Sequence, residues 1–445
     1  MSKVNTAKVG AASSANAASK PLVLVLQGFF GSATPAEVLE AAGSEFQILF
    51  VIDESSDNPA DVMGRVTEAG GTAQILQEME ANPSQSPLAR CAGITAFSES
   101  HVVTASRLTA SLGLPGHSAE VIERLTNKAV QREALAKQDV PQPLSLMLDL
   151  SKPDWRSKID AMEGKGSLVV KPKVGVGSAG VERVADVASA RAVLEKASGF
   201  WLVETELIGV PHPDGAWLGD WVSVETVSQN GQHRVIGVMD KLPLAKPFRG
   251  TGMVVPSILP DDMRQRCAEV GLAAVKACGV THGVSSIELK LTAQGPSVIE
   301  INGRLGGTTN EAFTRIFGVS AVRAALSAAC DLPPVLEFHE QACTICHLFP
   351  PAPAEPVDVN EFLAVLPKVQ EVKGVYRTDI VNLDALCGGA QTATMTTPVS
   401  VWFETASPED LKIALGEVAK IFLSVGLPIA EREALDDMLS AANGT

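Results

Sequence analysis

The first hundred residues alternate short apolar segments with amphipathic ones, and this alternation constrains the fold more than any other feature. Two continuous apolar runs, residues 22–28 and 46–53, have the length and composition of strands buried on both faces of a parallel sheet. Between them, Thr34 and Pro35 provide an N-cap and a first-turn proline for a helix that ends at Gly43. Strands alternating with helices predict an open α/β domain with a ligand crevice beyond the carboxyl ends of its strands.

The composition argues against several classes of function. The 445 residues contain 36 Lys and Arg against 51 Asp and Glu, a net charge of −15. A nucleic-acid-binding surface is therefore not expected, because such surfaces need clustered cations. Aromatic residues make up 4% of the chain, which disfavours stacking platforms for single strands. A single small anion in a locally basic cleft remains compatible with this charge balance.

The chain lacks the features of exported and membrane proteins. Seven cysteines without a dense pattern argue against a disulfide framework and favour a reducing compartment. No uninterrupted apolar segment reaches 18 residues, so no membrane span is predicted. Residues 1–20 are rich in Ala and Ser, and we expect a flexible tail there. We expect a cytoplasmic protein without nucleic-acid or membrane partners, and a homodimer is the commonest symmetric assembly.

Changes in pattern divide the chain into successive regions. A Val-Pro-Gln-Pro segment at residues 140–143 disfavours helix and suggests a domain joint. The predicted regions are a tail over 1–20, an α/β domain over 21–116, a linker helix over 117–150, a small α+β subdomain over 151–220, a larger subdomain over 221–340 and a closing α+β subdomain over 341–445.

A glycine-rich loop follows a short apolar strand in the small subdomain. The segment KPKVGVGSAGV begins at Lys171 and contains Gly175, Gly177 and Gly180 in the pattern GxGxxG, which by itself is a weak signal. The next residues alternate like a strand and the helix begins only at Val187, so the loop is predicted to be the tip of a β-hairpin. Its backbone N–H groups suit phosphates, which Lys171 would also face. The alternative is a plain surface hairpin.

Acidic residues face each other across a second predicted hairpin. In residues 285–307, two alternating strands flank a Gln-Gly-Pro turn, and a loop of three or five residues places Glu288 opposite Glu300. Opposed like charges destabilise a sheet, and a divalent cation between them would reverse that effect. With Asn302 they form a set of hard oxygen ligands that suits Mg²⁺ bound to phosphate. Arg304 could hold a second anion. The alternative is a hairpin with solvated acids.

The glycine hairpin, the lysines and the acid pair, in this order, resemble the ATP-grasp superfamily over roughly residues 115–319. Within it the chain looks like the carboxylate–amine ligases that make dipeptides and related amides. The resemblance implies an ATP-grasp fold, of mixed α/β and α+β type, with an N-terminal Rossmann-like pre-ATP-grasp domain and a C-terminal α+β subdomain. It also implies ATP and two Mg²⁺ ions as cofactors, and a small carboxylic acid and an amine as substrates.

The resemblance further implies roles in nucleotide binding. Adenine would meet the carbonyl of Glu204, at the start of a hinge strand, and the amide of Leu207; ribose would meet Asp220. The residues implied to contact the phosphates are Lys128, Lys171, Gly175, Gly177, Ser178 and Gly180. Each charged residue in this set has a plain alternative as a solvated side chain on a helix, strand or loop.

The same resemblance assigns the metal and the reacting groups. Glu288, Glu300 and Asn302 match the Mg²⁺ ligands, and Arg304 matches the residue that steadies the substrate carboxylate and its phosphorylated form. Two further residues resemble catalytic positions: Lys241 a phosphate-side lysine, and Arg249 a substrate contact. Solvated or ion-paired roles remain open for both.

The implied reaction joins an acid to an amine. ATP would convert the carboxylate to an acyl phosphate, and the amine would then displace phosphate, with His282 or Glu225 as candidate bases. Peptide or amino-acid substrates suggest specialised metabolism, such as antibiotic assembly. The alternatives are a ligase of the same fold that uses a thiol or another acceptor, and a nucleotide-binding protein without turnover.

One motif suggests a different cofactor. The sequence CTICH, from Cys343 to His347, matches the attachment pattern of c-type haem. Its surroundings alternate like a strand, which places Cys343 and Cys346 on opposite faces, where they cannot easily hold one haem. We therefore predict a buried strand at this position and no haem.

Overall fold

The computed structural model describes residues 20–29, 31–56, 58–175, 179–246, 248–339, 341–388 and 397–443. The tail predicted for residues 1–20 lies outside the described residues, apart from Lys20. Gly177 and Ser178 of the glycine hairpin also lie outside them. No helix in the described ranges is long and apolar enough to cross a membrane.

The N-terminal domain is the predicted parallel α/β sheet. Its four strands have the order β3-β2-β1-β4 and are all parallel. Thr34 caps the first helix in a reciprocal capping box, since its hydroxyl accepts from Glu37 N at 3.2 Å while Glu37 Oε2 accepts from Thr34 N at 2.8 Å. The elements are β1 Leu22–Leu26, α1 Pro35–Ala42, β2 Gln47–Ile52, α2 Pro59–Glu68, β3 Ala73–Ile75, α3 Leu76–Ala81, a 3₁₀ turn Pro87–Ala89, β4 Gly93–Ala96 and α4 Glu99–Leu112.

Two helices lead to a small antiparallel sheet. Its order is β5-β8-β6-β7, and the hairpin of β6 and β7 pairs Leu168 with Val184, as predicted for the strands that flank the glycine loop. The next helix begins at Val187, also as predicted, with Asp186 as its N-cap. The elements are α5 Ala119–Thr126, α6 Lys128–Ala136, β5 Ser145–Asp149, α7 Trp155–Lys158, a 3₁₀ turn Ile159–Met162, β6 Leu168–Pro172, β7 Glu182–Val184, α8 Val187–Leu194 and β8 Phe200–Thr205.

The rest of the chain builds one antiparallel sheet of eight strands, β13-β12-β9-β10-β11-β14-β16-β15. Its first part consists of β9 Trp221–Gln229, β10 Gln232–Lys241, β11 Gly252–Val255, α9 Asp261–Ala277, β12 Gly283–Thr292, β13 Gly295–Asn302, α10 Thr309–Phe317 and α11 Ala321–Ala329. The second part consists of β14 Thr344–Leu348, α12 Val359–Gln370, β15 Val375–Ile380, a 3₁₀ turn Leu383–Cys387, β16 Val399–Thr405, α13 Pro408–Leu423 and α14 Arg432–Asn443. The strands of the predicted closing subdomain therefore extend the sheet of the larger subdomain, because β14 pairs with the edge of β11.

The two faces of the large sheet bury different partners. One face of β9 and β12 packs through Val224 and Ile287 against α9. The opposite face, with Met239 and Met253, packs against α10, α11 and residues of the N-terminal domain. This second face also carries Glu225, Lys241 and Glu288, because side chains alternate along each strand. The N-terminal domain is thereby held over the face that carries the candidate site.

The CTICH segment lies in β14 from Thr344 onward, and this strand is inside the sheet between β11 and β16. Ile345 belongs to the core on the α10 side, and Cys346 belongs to the core under the C-terminal helices. Cys343 packs on the side of Ile345, so the two cysteines lie on opposite faces, as predicted. All seven cysteines are free.

Candidate active site

The hairpin of β12 and β13 brings the two predicted metal-ligand acids together. Glu288 pairs directly with Glu300 across the two strands, which confirms the predicted register. The predicted turn was wrong, however. Thr292 pairs with Gly295 across a two-residue loop, and a β-bulge at Ile299 then shifts the register by one residue. The bulge, and not a longer loop, therefore places Glu300 opposite Glu288.

Helix α6 runs along the outer edge of β13 and fixes this bulge. The side chain of Gln131 accepts from Ile301 N at 3.0 Å and donates to Ile301 O at 2.9 Å. Arg132 Nη2 donates to Ile299 O, in the bulge, at 2.6 Å. An edge strand has unpaired backbone groups, and these side chains satisfy them. The sequence analysis missed both residues; the available signal was two large polar side chains on the face of a helix that is otherwise buried.

Lys128, the first residue of α6, links the acid pair to the glycine hairpin. Its Nζ lies 2.8 Å from Glu300 Oε1 and 3.0 Å from the carbonyl oxygen of Gly175. Burial alone would raise the pKa of Glu300, but Lys128 and Lys171 outweigh it and lower that pKa. The structure thus brings the predicted phosphate lysine next to both elements that the sequence connected with phosphate and metal.

A buried triad of charges lies behind the glycine hairpin. Lys171 Nζ is 2.6 Å from Glu204 Oε2, and Arg132 Nε is 2.7 Å from Glu204 Oε1. Burial would raise the pKa of Glu204, but the two cations overcome this effect and lower it to about 2. Glu204 is the penultimate residue of β8, so its predicted place at the start of a hinge strand was wrong. Leu207 lies two residues beyond the end of that strand.

The charged form of Glu288 is less favoured than that of its partner Glu300. Burial and the neighbouring charge of Glu300 raise the pKa of Glu288, although Lys241 and Arg304 act in the opposite direction. Burial lowers the pKa of Lys241, against the attraction of Glu225 and Glu288. A carboxylate pair in which burial opposes the second ionisation is relieved by a bound cation.

The metal set consists of two acids and one amide. Asn302 ends β13, two residues beyond Glu300, and its side chain is largely buried. Carboxylate and amide oxygens without nitrogen or sulfur are the donors that Mg²⁺ prefers. No cluster of three or more His, Cys, Asp or Glu that could hold a metal occurs among the described residues. Glu288 and Glu300, with Asn302, are therefore the candidate metal site among the described residues.

Residues 303–308, here called the arginine loop, follow the metal set. Arg304 Nε lies 3.1 Å from Glu99 Oε2, at the N-terminus of α4 in the first domain. The side chain of Glu225 accepts from Gly306 N at 2.9 Å and from Ser286 Oγ at 2.7 Å. Each of its oxygens accepts one of these bonds, so Glu225 holds the loop, and its role as a base stays a prediction. Glu99 was missed by the sequence analysis, although it lies three residues beyond the end of β4, at the predicted crevice of the α/β domain.

Three residues with predicted roles in substrate or nucleotide binding or in proton transfer lie away from the acid pair or contact other residues of the protein. Asp220 Oδ1 accepts from Lys290 Nζ at 2.6 Å, and Leu291 N donates to the Asp220 carbonyl. Arg249 donates through Nε to Lys246 O at 2.9 Å, in the loop between β10 and β11. His282 precedes β12, six residues from Glu288, which is about 20 Å along a strand. His282 therefore does not lie beside the acid pair, and its role as the base stays a prediction.

Comparison with known proteins identifies the fold. Residues 125–308 match the family model described as an ATP-grasp domain. A chicken (Gallus gallus) carnosine synthase 1 is 37% identical over 124 residues, which are 28% of this chain and 12% of that protein. The alanine–anticapsin ligase of Bacillus subtilis strain 168 is 24% identical over 284 residues, 58% of this chain and 59% of the ligase.

A solved structure extends the similarity to nearly the whole chain. The crystal structure of an L-amino acid ligase from Bacillus licheniformis superposes with a TM-score of 0.68 at 19% identity, over 93% of this chain and 99% of that one. The chain spans only between 12% and 59% of the length of the curated relatives named above. The matched residues include the acid pair, α6 and the glycine hairpin. This protein therefore has the ATP-grasp fold, and residues 125–308 match the model of an ATP-grasp domain.

Proposed function

We propose that this protein is an ATP- and Mg²⁺-dependent carboxylate–amine ligase that forms an amide or peptide bond. The observation that carries the proposal is the directly opposed pair Glu288 and Glu300, joined by Lys128 to the stem of the glycine hairpin. The ammonium group of Lys128 thus contacts both Glu300 of the acid pair and the glycine hairpin, the loop that we expect to bind phosphate. This arrangement suits a nucleotide triphosphate whose phosphates carry Mg²⁺.

Within this proposal the nucleotide lies between the small sheet and the large sheet. Lys128 and Lys171 contact its phosphates, and the glycine hairpin, with Gly175, Gly177, Ser178 and Gly180, covers them. The Glu204 carbonyl and the Leu207 amide meet adenine, and Asp220 meets ribose. The Glu204 side chain has a separate role, because it neutralises Lys171 and Arg132 in the dry interior.

The metal would bind to Glu288, Glu300 and Asn302, and it would neutralise charge on the transferring phosphoryl group. Two ions can share such a set, since bound metal relieves the repulsion between the acids. Lys241 lies on the same face of the sheet as Glu288 and adds positive charge near the phosphates. Arg249 remains a proposed substrate contact in the loop that follows.

The chemistry would proceed in two steps. The substrate carboxylate attacks the γ-phosphate, which gives ADP and an acyl phosphate, and Arg304 steadies the new negative charge. The amine then attacks the acyl carbon, loses a proton and expels phosphate. Because water would hydrolyse the acyl phosphate, the glycine hairpin must close over the site during the reaction.

The relatives suggest the substrate class. Proteins named carnosine synthase and alanine–anticapsin ligase match parts of this chain, and the second name describes a ligase that joins the amino acid alanine to another compound. We therefore propose amino acids or short peptides as substrates, in specialised metabolism of the antibiotic-assembly type. A cytoplasmic location and a homodimer remain predictions. A thiol or another acceptor, and binding without turnover, are the alternatives.

The test measures ADP release with Mg²⁺ and ATP against pairs of amino acids, with each acid and each amine omitted in turn and with a thiol as an alternative acceptor. Turnover that needs both an acid and an amine supports the ligase. Lys171→Ala and Glu300→Gln should abolish it. The matched controls, Lys152→Ala and Glu120→Gln, remove the same charges from exposed positions and should leave turnover unchanged. Full turnover in Lys171→Ala or Glu300→Gln would contradict the assigned roles.

A further inference from the structure

The histidine of the CTICH segment lies close to the candidate active site. His347 is on β14, opposite Met253 of β11 and Trp402 of β16. Met253 in turn lies opposite Lys241, the last residue of β10. Opposed residues share one face of a sheet, so His347 lies two strands, about 10 Å, from Lys241 on the face that carries the acids. Neither the haem motif nor the proposed chemistry explains a histidine at this position.

His347 is a rigid, buried side chain. Its ring stacks on Trp402 with centroids 4.0 Å apart and planes 12° apart, and it tilts against Phe349 at 5.1 Å. Burial, and then the charge of Arg377, lower the pKa of His347 to about 3, so the ring is neutral near pH 7. Its Nδ1 lies 3.0 Å from Thr308 Oγ1, whereas Nε2 is buried and has no hydrogen-bond partner among the residues that the structure describes.

The contacts of Thr308 determine which nitrogen carries the proton. The Thr308 hydroxyl has one proton, and its nearest acceptor is the carbonyl oxygen of Gly307, at 2.7 Å. This distance is typical of an O–H···O hydrogen bond, so we assign the hydroxyl proton to the bond with the Gly307 carbonyl. The bond to His347 therefore requires Nδ1–H as the donor, which leaves Nε2 as the unprotonated nitrogen. A buried nitrogen without a partner is costly, and such a cost is expected to be offset by a specific role.

The backbone of Thr308 has an unfavourable conformation, which the hydrogen bond from His347 helps to hold. It has φ +59° and ψ +9°, in the left-handed region, which a β-branched side chain rarely adopts. It closes the arginine loop and precedes α10. The loop is also held at a second point, three strands from β14 in the order of the sheet, where the Glu225 side chain on β9 accepts from Gly306 N. Arg304 lies just before these two points.

We propose that His347 is a positioning residue that donates a hydrogen bond from Nδ1 to Thr308 and so fixes the arginine loop, and with it Arg304, against the large sheet. The inference rests on the proposed function for its kinetic consequence only. The hydrogen bond itself is independent of what the site binds. The C-terminal region thereby contributes to the active site through β14, although it carries none of the proposed ligands.

The kinetic test compares variants that remove the hydrogen bond from either side. His347→Phe keeps a stacking ring, and Thr308→Val keeps the side-chain shape. Each should lower kcat/KM for the acid substrate by roughly 10- to 100-fold while the dissociation constant of an ATP analogue is unchanged. The double variant should be no worse than the worse single one, because both remove the same interaction. His347→Asn and Thr308→Ser, which retain a polar partner, should recover most of the activity.

The matched control is His233→Phe, because His233 makes the same kind of contact, 2.8 Å from Ser228 Oγ, at the opposite end of β10. This variant should retain the wild-type kcat/KM. Multiplicative losses in the double variant, or wild-type kinetics in His347→Phe, would overturn the proposal.

A second readout does not depend on turnover. In ¹⁵N-histidine spectra, the signal lost in His347→Phe should show a neutral ring protonated on Nδ1, and it should shift in Thr308→Val. An Nε2–H ring, or a signal unaffected by Thr308→Val, refutes the positioning role. If no acid and amine pair supports turnover, the ligase proposal fails, and the spectra still decide the role of His347.

Discussion

Replacing Arg132 by Met should destabilise the ATP-grasp domain and weaken its metal site together. Arg132 neutralises the buried Glu204 and holds the bulge carbonyl of Ile299. The Glu204 pKa falls from 4.5 to about 2. At 1.36 kcal/mol per unit, this shift corresponds to about 3 kcal/mol of stability, to which Arg132 and Lys171 both contribute. Removing one partner of a buried pair typically costs about 3–5 kcal/mol, and because Lys171 still contacts Glu204 in the variant, we expect a cost at the lower end of this range, about 3 kcal/mol.

Thermal unfolding measures this loss. At 2–4 °C per kcal/mol for a domain of this size, Arg132→Met should lower the midpoint by roughly 6–12 °C at pH 7. Because the pKa of Glu204 is depressed in the folded state, its contribution is present above pH 4.5 and disappears as the pH falls toward 2. The difference between wild type and variant should therefore shrink below pH 4.5.

Two further variants show whether the buried charge is the cause. Arg107→Met removes an exposed ion pair with Glu80, 2.6 Å long, and should cost less than about 1 kcal/mol. Adding Glu204→Gln to Arg132→Met should recover part of the loss, because the unpaired carboxylate is then gone. The reasoning is refuted if Arg132→Met melts within 2 °C of wild type, where ~2 °C is less than 1 kcal/mol, or if the difference grows as the pH falls.

Three further predictions concern the site. Mg²⁺ at 100 times its dissociation constant should stabilise the wild type by about 2.7 kcal/mol; Glu288→Gln should abolish this thermal shift, and an equal shift in that variant would exclude the acid as a ligand. Arg304→Ala should lower turnover on the order of 10²- to 10³-fold, by the loss of one charge-stabilising group; unchanged ADP release with acid and amine present would remove it from the mechanism. An absorbance scan should show no Soret band, and a thiol titration of the unfolded protein should count seven cysteines; a Soret band or fewer thiols would contradict the buried-strand interpretation of Cys343 and Cys346.

Much of the local structure was predictable, because it depends on short-range patterns. Alternation with period two and continuous apolar runs defined the strands, and caps such as Thr34 and Asp186 defined the helix starts. The hairpin around the glycine loop followed from the late helix start at Val187. The opposition of Glu288 and Glu300 was also predictable, but for the wrong reason, since the bulge at Ile299 has no clear signature in the sequence.

The active site, in contrast, depends on contacts between distant parts of the chain. Lys128 and Glu300 are 172 residues apart, and Arg132 reaches Glu204 across 72. No local pattern specifies such pairs, because they arise only when packing brings the edge of β13 under α6. For the same reason the sequence did not reveal that Glu99 of the first domain meets Arg304.

The sequence by itself determined the elements and the chemical types available for the site: glycines, lysines and hard oxygen ligands in a fixed order. Only the tertiary structure decided which of them meet, that the C-terminal strands join the large sheet, and that His347 contacts Thr308. The physical reason is that secondary structure follows from interactions within a few residues. The partners of charged side chains and of the backbone groups at a sheet edge depend instead on folding, because only the folded chain brings distant residues within hydrogen-bonding distance, about 3 Å.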